Sequence, residues 1–510
     1  MDLLQSSRLA SQPLFKNNKA EANHRVIILG SRRKHNLAQL LRQWLTSWQM
    51  AQLEAKPVQY FAAEQAKIWV LQPHHGELPQ TEGHNQRLVI SDYARFRDSI
   101  GAWWRSQKLA GEVVEFDLRE LTDEETLGAL VGLGLAQYNF LSCLKGEAKG
   151  PKWAFSAAGR EIKKEIFTQA EAMVSGMNLA RHLSNLPAEI ANPADLADMC
   201  ADFFKGRPGM KTEIWDVARL KKEKMGLLLG VGQGSQYGAR FIHLKYRGAP
   251  VAKKSARAGK ASRKSESAKP IAFVGKGVTF DTGGLDTKNS SGMRMMKKDV
   301  TGSAIMAGLA HYVSAAKLKV NCDFYLPLAE NCVSDRATRP GDIHTSRAGY
   351  LVEIDNTDAE GRLVMADAFD VAVTQTGADE PAALVDVSTL TGAMRVAVGL
   401  DVAGFFSNND KLARDFEVVA QEMGEMAWRM PLVDKYWRQL SSSFADFKNS
   451  TDSGFGGAIT AALFLQKFVR KTPWVHFDVM AWGNSGDGAV GEGSNAQCFQ
   501  ILAGYINRRS

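Results

Sequence analysis

Residues 271–284 read Ile-Ala-Phe-Val-Gly-Lys-Gly-Val-Thr-Phe-Asp-Thr-Gly-Gly. The segment opens with apolar residues and continues into glycines, which predicts a buried strand that ends where the backbone approaches another group closely. Lys276 and Asp281 project from this glycine-rich frame, and Lys288 and Asp299 follow downstream. Ligands of open α/β sheets bind beyond the carboxyl ends of the strands, so we expect a functional site at the end of this strand.

A second group of charged residues lies in the octapeptide 356–363, Asn-Thr-Asp-Ala-Glu-Gly-Arg-Leu. Asp358 and Glu360 are two residues apart, so on an extended strand both carboxylates point to one face, and Arg362 continues the alternation. A divalent cation would relieve the repulsion between these carboxylates. A solvated turn with a surface ion pair is the alternative for the octapeptide alone. The upstream lysines and aspartates favour a metal site.

The two segments together resemble the leucyl aminopeptidase family, the two-metal cytosol aminopeptidases also called M17 peptidases. That family carries the same octapeptide, and its upstream block reads close to Val-Gly-Lys-Gly-Val-Thr-Phe-Asp-Ser-Gly-Gly, followed by a second lysine and Met-Lys-x-Asp. The resemblance covers about residues 125–482 and includes five further matching segments. These are 180–187, 225–234, 339–342, 389–393 and 457–462.

The resemblance implies that two divalent cations are bound by Lys276, Asp281, Asp299, Asp358 and Glu360. Asp281 and Glu360 would bridge the two cations, and Lys276 would have to be deprotonated to act as a ligand. Lys288 and Arg362 match the catalytic positions. A water shared by the cations would attack the peptide carbonyl while protonated Lys288 stabilises the oxyanion. Arg362 would hold a bicarbonate ion that serves as the base.

The resemblance also implies a specificity pocket for the first residue of a peptide, lined by Met296, Thr389 and Gly392. Such a pocket suits large apolar, leucine-like side chains. Ordinary core packing is the alternative for Met296. Zinc, manganese and magnesium all accept the implied ligands, so the metal identity stays open. A homohexamer in the cytoplasm, acting on peptides, is expected from the family.

Three departures from the family pattern surround the expected site. Residues 286–289 read Asp-Thr-Lys-Asn in place of Ser-Ile-Lys-Pro, and residues 293–299 read Met-Arg-Met-Met-Lys-Lys-Asp in place of Met-Asp-Glu-Met-Lys-Tyr-Asp. Residues 486–494 form a glycine-rich stretch where the family has Thr-Gly-x-Gly-Val-Arg. The altered charges can shift substrate preference or pH optimum without removing the chemistry. They are Asp286, Arg294 and Lys298.

Length and composition predict a two-domain α/β protein, since 510 residues exceed one usual domain and 45% hydrophobic with 23% charged residues is ordinary globular usage. We expect a smaller N-terminal α/β domain at 1–159, a linking helix at 160–183, and a catalytic domain at 184–510 with a mixed, mostly parallel sheet flanked by helices. The apolar patterns predict strands at 24–30, 68–71, 226–231, 240–246, 271–275, 322–327, 383–388 and 474–480. They predict helices at 37–53, 127–138, 302–316 and 363–375.

The net charge of +8 is largely local, because residues 253–269 carry seven basic residues against Glu266 alone. We interpret 249–270 as a basic surface insertion. A basic tract can contact nucleic acid, and some relatives bind DNA as regulators, so a DNA-binding regulator is one alternative function. A catalytically silent homologue is another, disfavoured because no ligand position is lost.

The remaining features argue against other classes of protein. No stretch reaches eighteen uninterrupted apolar residues, so neither membrane spanning nor secretion is expected. Five cysteines without a Cys-x-x-Cys pair indicate reduced thiols. Residues 230–235 mimic a dinucleotide-binding loop after a strand, but the third glycine is misplaced, which favours a tight turn. The histidines are spaced singly and are expected to be packed or on the surface. They include His243, His311, His344 and His476.

Overall fold

A computed structural model describes most of the chain. The described residues are 2–15, 22–30, 58–62, 67–73, 91–107, 109, 112–156, 162–250 and 269–510. The helix predicted at 37–53 lies outside these ranges, as does nearly all of the insertion predicted at 249–270. Within these ranges, the structure contains no helix with the length and apolar character needed to cross a bilayer.

The N-terminal part is built on a five-stranded sheet in the order β2-β3-β1-β4-β5, in which only the β2–β3 pair is antiparallel. Its strands are β1 (His24–Ile28), β2 (Val58–Ala62), β3 (Lys67–Leu71), β4 (Val113–Asp117) and β5 (Lys152–Ser156). Its helices are α1 (Leu3–Ala10), α2 (Asp92–Ser106), α3 (Asp123–Gln137) and α4 (Phe140–Leu144). Gly128 and Gly132 let α3 lie directly against the backbone of α2, because a Cβ at either position would overlap a carbonyl of that helix.

The C-terminal part is built on a larger sheet in the order β15-β14-β17-β13-β8-β10-β7-β6, with β9 paired to β10. The four central strands β17, β13, β8 and β10 run parallel, and antiparallel pairs occur on either side of them. The strands of this sheet are β6 (Met210–Trp215), β7 (Arg240–Arg247), β8 (Ile271–Gly275), β9 (Gly277–Asp281), β10 (Asn321–Asn331), β13 (Ala383–Ser388), β14 (Ala403–Ser407), β15 (Ala427–Arg429) and β17 (Trp474–Asp478). This arrangement confirms the predicted α/β fold class.

Helices cover this sheet, and small sheets extend it. The helices are α5 (Lys164–Asn185), α6 (Pro193–Phe204), α7 (Val217–Lys222), α8 (Gly226–Gly232), α9 (Ser290–Met293), α10 (Thr301–Ala315), α11 (Gly361–Val373), α12 (Gly392–Val398), α13 (Asp410–Met423), α14 (Gly457–Gln466) and α15 (Phe499–Asn507). Short 3-10 helices lie at Met296–Val300, Gly377–Asp379 and Asp434–Leu440. The small strands are β11 (Ile343–Thr345), β12 (Leu351–Glu353), β16 (Phe447–Lys448), β18 (Trp482–Gly483) and β19 (Gly493–Ser494).

Helix α5 connects the two parts, because it packs against α3 on one side and α10 on the other. One hydrophobic core includes buried residues from both parts, among them Phe116, Met173, Phe273 and Phe499. The division into domains at 1–159 and 184–510 with a linking helix at 160–183 remains a prediction. Helix α5, which corresponds to the linking helix, begins at Lys164, four residues later than expected.

The strand predicted at 226–231 is wrong, since these residues form α8. The Asp367 carboxylate accepts hydrogen bonds from the backbone N–H groups of Leu227 (2.9 Å) and Leu228 (3.1 Å), which are unpaired donors of the first helical turn. A short apolar run does not distinguish a buried strand from a buried helix. The tight turn predicted at 230–235 accordingly starts only after the helix ends at Gly232.

Candidate metal centre

The predicted ligands come from separate elements that meet at the carboxyl ends of the central strands. Lys276 directly follows β8, Asp281 ends β9, and Asp299 lies in the 3-10 helix Met296–Val300. Glu360 directly precedes α11. A Cβ on Gly361 would lie 2.5 Å from the Lys276 Nζ, so a larger residue here would displace this side chain. The glycine between Glu360 and Arg362 therefore makes room for the lysine.

Two lysines bind the carboxylates of this cluster. The Lys276 Nζ lies 2.8 Å from Asp299 Oδ2 and 2.9 Å from Glu360 Oε1. The Lys288 Nζ lies 2.8 Å from Asp281 Oδ2 and also forms an ion pair with Asp358. Carboxylate oxygens of Asp281, Asp358 and Glu360 lie within 4.8 Å of one another. The structure thus brings the five predicted ligands and Lys288 into one cluster.

Burial makes this cluster electrostatically costly. Lys276, Asp281, Asp299 and Glu360 are each at most 3% exposed. Burial and then the Asp281 charge raise the pKa of Glu360 to about 8, and the same causes raise the pKa of Asp358. Burial alone lowers the pKa of Lys276, but the surrounding carboxylates outweigh it and raise that pKa. A bound dication would act in the opposite direction on all these groups, since it favours carboxylates and neutral amines.

One buried acceptor shows that the cluster fits a cation. Glu360 Oε2 has no hydrogen-bond donor among the described residues, whereas Asp299 Oδ2 lies 2.8 Å from the Lys276 ammonium. Buried acceptors are seldom left unpaired, because desolvation of an unpaired oxygen costs about 1–3 kcal/mol. Carboxylate oxygens with one amine form a donor set that Zn²⁺, Mn²⁺ and Mg²⁺ accept to different degrees. The residues present therefore fit divalent cations.

The extended strand predicted for Asp358 and Glu360 is wrong. Residues 357 and 358 form a turn, in which the Asp358 N–H donates to Asn356 Oδ1 (2.7 Å), and α11 starts at Gly361. Asn side chains commonly stabilise such turns by accepting from the backbone two residues on. The two carboxylates converge because the chain turns into a helix, and not because they alternate along a strand.

Asn449 organises this turn and carries no signal in the sequence. Its side chain is fully buried, and its Oδ1 accepts from the N–H groups of Asp355 (2.8 Å) and Asn356 (3.3 Å). Its Nδ2 donates to the carbonyls of Asn356 (2.7 Å) and Ala359 (3.3 Å). Its own carbonyl accepts from Arg362 Nη1 at 2.7 Å. One residue thus holds the turn that presents Asp358 and Glu360.

Two further residues tie the glycine-rich loop to the same turn. Asn331 Nδ2 donates to Asp281 Oδ1 (2.9 Å) and to the Thr357 carbonyl (3.1 Å). Asp286 Oδ2 accepts from the Thr357 N–H (2.7 Å) and hydroxyl (3.0 Å). Asp286, a departure from the family pattern, therefore has a structural role beside Asp358.

A cavity of about 400 Å³ opens onto the cluster. Met296, Thr389 and Gly392 line it together with Lys276 and Arg362. The Thr389 hydroxyl donates to Asp299 Oδ1 at 2.5 Å. The lining includes two cations outside the predicted site, Lys298 and Arg395. Burial lowers the pKa of Lys298 to about 8, although Asp299 beside it acts to raise it.

The four histidines discussed above lie outside this cluster. His243 pairs with Asp323 (2.9 Å) and His476 with Asp386 (2.6 Å), both in the core. His311 is hydrogen-bonded to Ser175, and His344 to Thr338. All five cysteines are free thiols.

Comparison with known proteins points to one family. A sequence model described as "Cytosol aminopeptidase family, catalytic domain" matches residues 178–502. The chain is 46% identical over 398 residues to a probable cytosol aminopeptidase of Rhodopseudomonas palustris (strain BisA53), covering 77% of this chain and 76% of that protein. It is similar in structure to the cytosol aminopeptidase from Coxiella burnetii, with a TM-score of 0.78, 27% identity, and coverage of 97% of this chain and 98% of the other. It is also similar to the bottromycin maturation enzyme BotP in complex with Mn, with a TM-score of 0.79, 25% identity, and coverage of 96% and 99%.

Proposed function

The chain belongs to the cytosol aminopeptidase family, and on that premise we propose that it is a two-metal aminopeptidase that removes large apolar, leucine-like residues from the N-terminus of peptides. The family resemblance stated from the motifs is confirmed by these matches. Aminopeptidase activity follows from the family. The number of metals, the substrate preference and the residue roles are our proposal.

The observation that carries the proposal is the convergence of four buried or half-buried carboxylates and the Lys276 amine, with Glu360 Oε2 unpaired among the residues described. Lys276, Asp281, Asp299, Asp358 and Glu360 would hold the two cations. When bound, these cations would acidify a water and polarise the scissile carbonyl. Zinc, manganese and magnesium are all compatible with the donor set.

Lys288 supplies a fixed positive charge beside the metal centre. Its side chain is 16% exposed and forms part of the cavity wall, where it is ion-paired with Asp281 and Asp358. Burial acts to lower the pKa of Lys288, but these carboxylates raise it overall, so the ammonium form is retained. An ammonium held at this position can donate to the oxyanion that forms when the carbonyl is attacked.

Arg362 is buried and lines the cavity. Its Nη1 donates to the Asn449 carbonyl, whereas its Nε has no acceptor in the described part of the chain. A guanidinium edge with a free donor suits a planar anion, which supports bicarbonate bound here as the base. Arg362 itself remains cationic and does not accept the proton.

The wider context of the enzyme is proposed from the family. Peptides are the substrates, the protein acts in the cytoplasm, and the chain assembles as a homohexamer. Sedimentation velocity on the purified protein tests the assembly, because a monomer would contradict it.

Metal analysis combined with activity tests the function. We expect about two divalent cations per chain by mass spectrometry of the ions, and hydrolysis of leucine 4-nitroanilide that is lost on chelation and restored by zinc or manganese. Glu360→Gln should lower both the metal content and the activity. Undiminished hydrolysis by the chelated, metal-free protein would refute the metal mechanism. Metal binding without any hydrolysis would instead support the silent homologue.

A further inference from the structure

Two cations line the cavity without belonging to the metal centre. Lys298 is only 4% exposed, and Arg395 lies on the exposed side of α12. Both contact Met480, since the Lys298 Nζ donates to its carbonyl at 3.3 Å and the Arg395 Nη1 lies 3.7 Å from its sulfur. Lys298 and Arg395 therefore converge on one wall of the cavity.

The carboxylates of Asp299 and Asp478, whose charges act on Lys298, have other partners. Asp299 is ion-paired with Lys276 and accepts from the Thr389 hydroxyl. Asp478 accepts from the backbone of Leu390 and Thr391 and from the Thr391 hydroxyl. No salt bridge to Lys298 or Arg395 occurs among the residues that the structure describes.

A carbonyl and a thioether are weak partners for two positive charges. A buried ammonium without a counter-ion is unfavourable, and an anion that enters the cavity would relieve this cost. The same cavity is lined by Met296, Ala393 and Val479, which can pack against aliphatic carbons. The wall is thus able to hold a group that is apolar along its length and anionic at its end.

We propose that Lys298 and Arg395 form a subsite for a carboxylate of the peptide substrate. The carboxylate belongs either to an acidic side chain on the first residue or to the free C-terminus of a short peptide such as a dipeptide. This inference rests on the proposed aminopeptidase function and adds a class of preferred substrate to it. It also gives a role to Lys298, which stands where the family pattern has tyrosine.

Pairs of isosteric substrates test the subsite. We compare kcat/KM for glutamate and glutamine 4-nitroanilides, and for Leu-Gly and Leu-Gly-amide, so that each pair differs only in one carboxylate. The wild-type enzyme should favour the carboxylate member of at least one pair by about 10-fold, a typical effect of a charged hydrogen bond. Lys298→Met and Arg395→Gln should each bring that ratio towards unity.

The matched control is Lys297→Gln. The Lys297 ammonium donates to the Asn185 carbonyl at 2.8 Å and lies over the rings of Phe140 and Trp482, outside the cavity lining. Its substitution should leave both ratios unchanged. Arg395→Gln is on the surface, so it tests the subsite even where a change at buried Lys298 prevents folding.

The outcomes separate the two sources of the carboxylate. If kcat/KM is higher for the carboxylate member of the glutamate pair alone, the subsite binds the side chain of the first residue. If it is higher for the carboxylate member of the Leu-Gly pair alone, the subsite binds the peptide C-terminus. Ratios near unity for both pairs, in an enzyme that cleaves neutral substrates, overturn the subsite. If the protein cleaved nothing, the proposed function would fail, and the ratio of Kd values for Leu-Gly and its amide, measured by calorimetry, would still decide the subsite.

Discussion

Lys288 is the residue whose role is most directly open to measurement. Its ammonium lies 2.8 Å from Asp281 and reaches the cavity that the candidate ligands line. We predict that Lys288→Met lowers kcat about 10²–10³-fold with a smaller effect on KM, because a group that stabilises the oxyanion acts on the transition state. Steady-state kinetics on leucine 4-nitroanilide measures both constants, and metal analysis checks that the cations are still bound.

Lys297→Met serves as the control for this prediction, since Lys297 is a neighbouring lysine that does not line the cavity. It should leave kcat within about 2-fold of the wild type, as expected for a substitution away from the chemistry. An unchanged kcat in a metal-loaded Lys288→Met enzyme would contradict the role of Lys288.

Single residues also show what sequence reasoning can and cannot reach. Lys276, Asp281 and Glu360 could be proposed as metal ligands because charged residues in a glycine-rich, apolar context form a pattern that ordinary core segments lack, and the structure brings them together. Asn449 and Asn331 were missed, although they hold the turn and the loop that carry these candidate ligands. An uncharged side chain that binds the backbone of a distant segment leaves no local pattern.

At the scale of elements, the strands that flank the site were predicted well because parallel strands buried on both faces read as continuous apolar runs. This holds for β8, β13 and β17. The error at α8 has a tertiary cause, because the carboxylate of Asp367 lies about 140 positions later in the chain. Local propensity is overridden where a distant acceptor satisfies the first N–H groups of a helix.

The pH dependence of stability tests the role of the Asp367 carboxyl group at the start of α8. It is fully buried, and burial raises its pKa to about 7, although hydrogen bonds from Arg347, Leu228 and Leu227 act to lower it. Between about pH 4 and pH 7 the unfolded chain has released this proton while the folded chain retains it. The free energy of unfolding should therefore fall as pH rises through this window, by up to a few kcal/mol from this group.

Asp367→Asn isolates this contribution, because the amide does not titrate. We expect the thermal unfolding midpoint of the wild type, relative to that of the variant, to decrease between pH 4.5 and pH 7.5. The control is Asp415→Asn, which replaces a half-buried carboxylate of α13 that accepts no hydrogen bond within the described part of the chain. A difference between wild type and Asp367→Asn that does not change with pH would show that this carboxylate titrates normally in the folded protein.

The turn before α11 is an element that depends on Asn449. Asn449→Ala removes four side-chain hydrogen bonds to the backbone around Asp358 and Glu360. We predict a 10–100-fold loss of metal affinity, the usual effect of losing a group that orients metal ligands. Competition with a chelator of known affinity measures the apparent Kd.

Asn408→Ala is the matched control for this prediction, because Asn408 bonds the backbone of Thr472 and Trp474 away from the site. It should leave the metal affinity unchanged. Equal metal affinities of Asn449→Ala and the wild type would show that the turn keeps its shape without the Asn449 side chain.

At the scale of the whole molecule, side chains of α2 join the N-terminal part to the C-terminal part through hydrogen bonds. Arg97 donates to the carbonyls of Met423 (3.0 Å) and Gly424 (3.3 Å), and Arg105 donates to those of Gly488 and Val490. Tyr93 donates to Gln500 at 2.6 Å. The loop at 486–494, which departs from the family pattern, therefore contacts α2. No local sequence pattern predicts this contact between distant parts of the chain.

The basic insertion bears on the alternative function. It joins the end of β7 to the start of β8, and β7 runs antiparallel to β10 whereas β8 runs parallel to it. The insertion is thus attached at the amino-terminal end of β8, whereas Lys276 lies at the carboxyl end of the same strand. This topology separates the attachment points of the tract from the candidate metal centre.

Replacing residues 251–268 with a short glycine-serine linker should therefore leave kcat/KM for leucine 4-nitroanilide within about 2-fold, because long surface insertions contribute little to the packing of a domain. The same deletion removes six of the seven basic residues of the tract. Any DNA retardation by the intact protein that weakens with salt should be lost with them, since phosphate contacts depend on such cations. A deletion that abolished peptidase activity in a folded protein would connect the tract to the site, and retardation that persisted in the deleted protein would locate DNA binding elsewhere on the molecule.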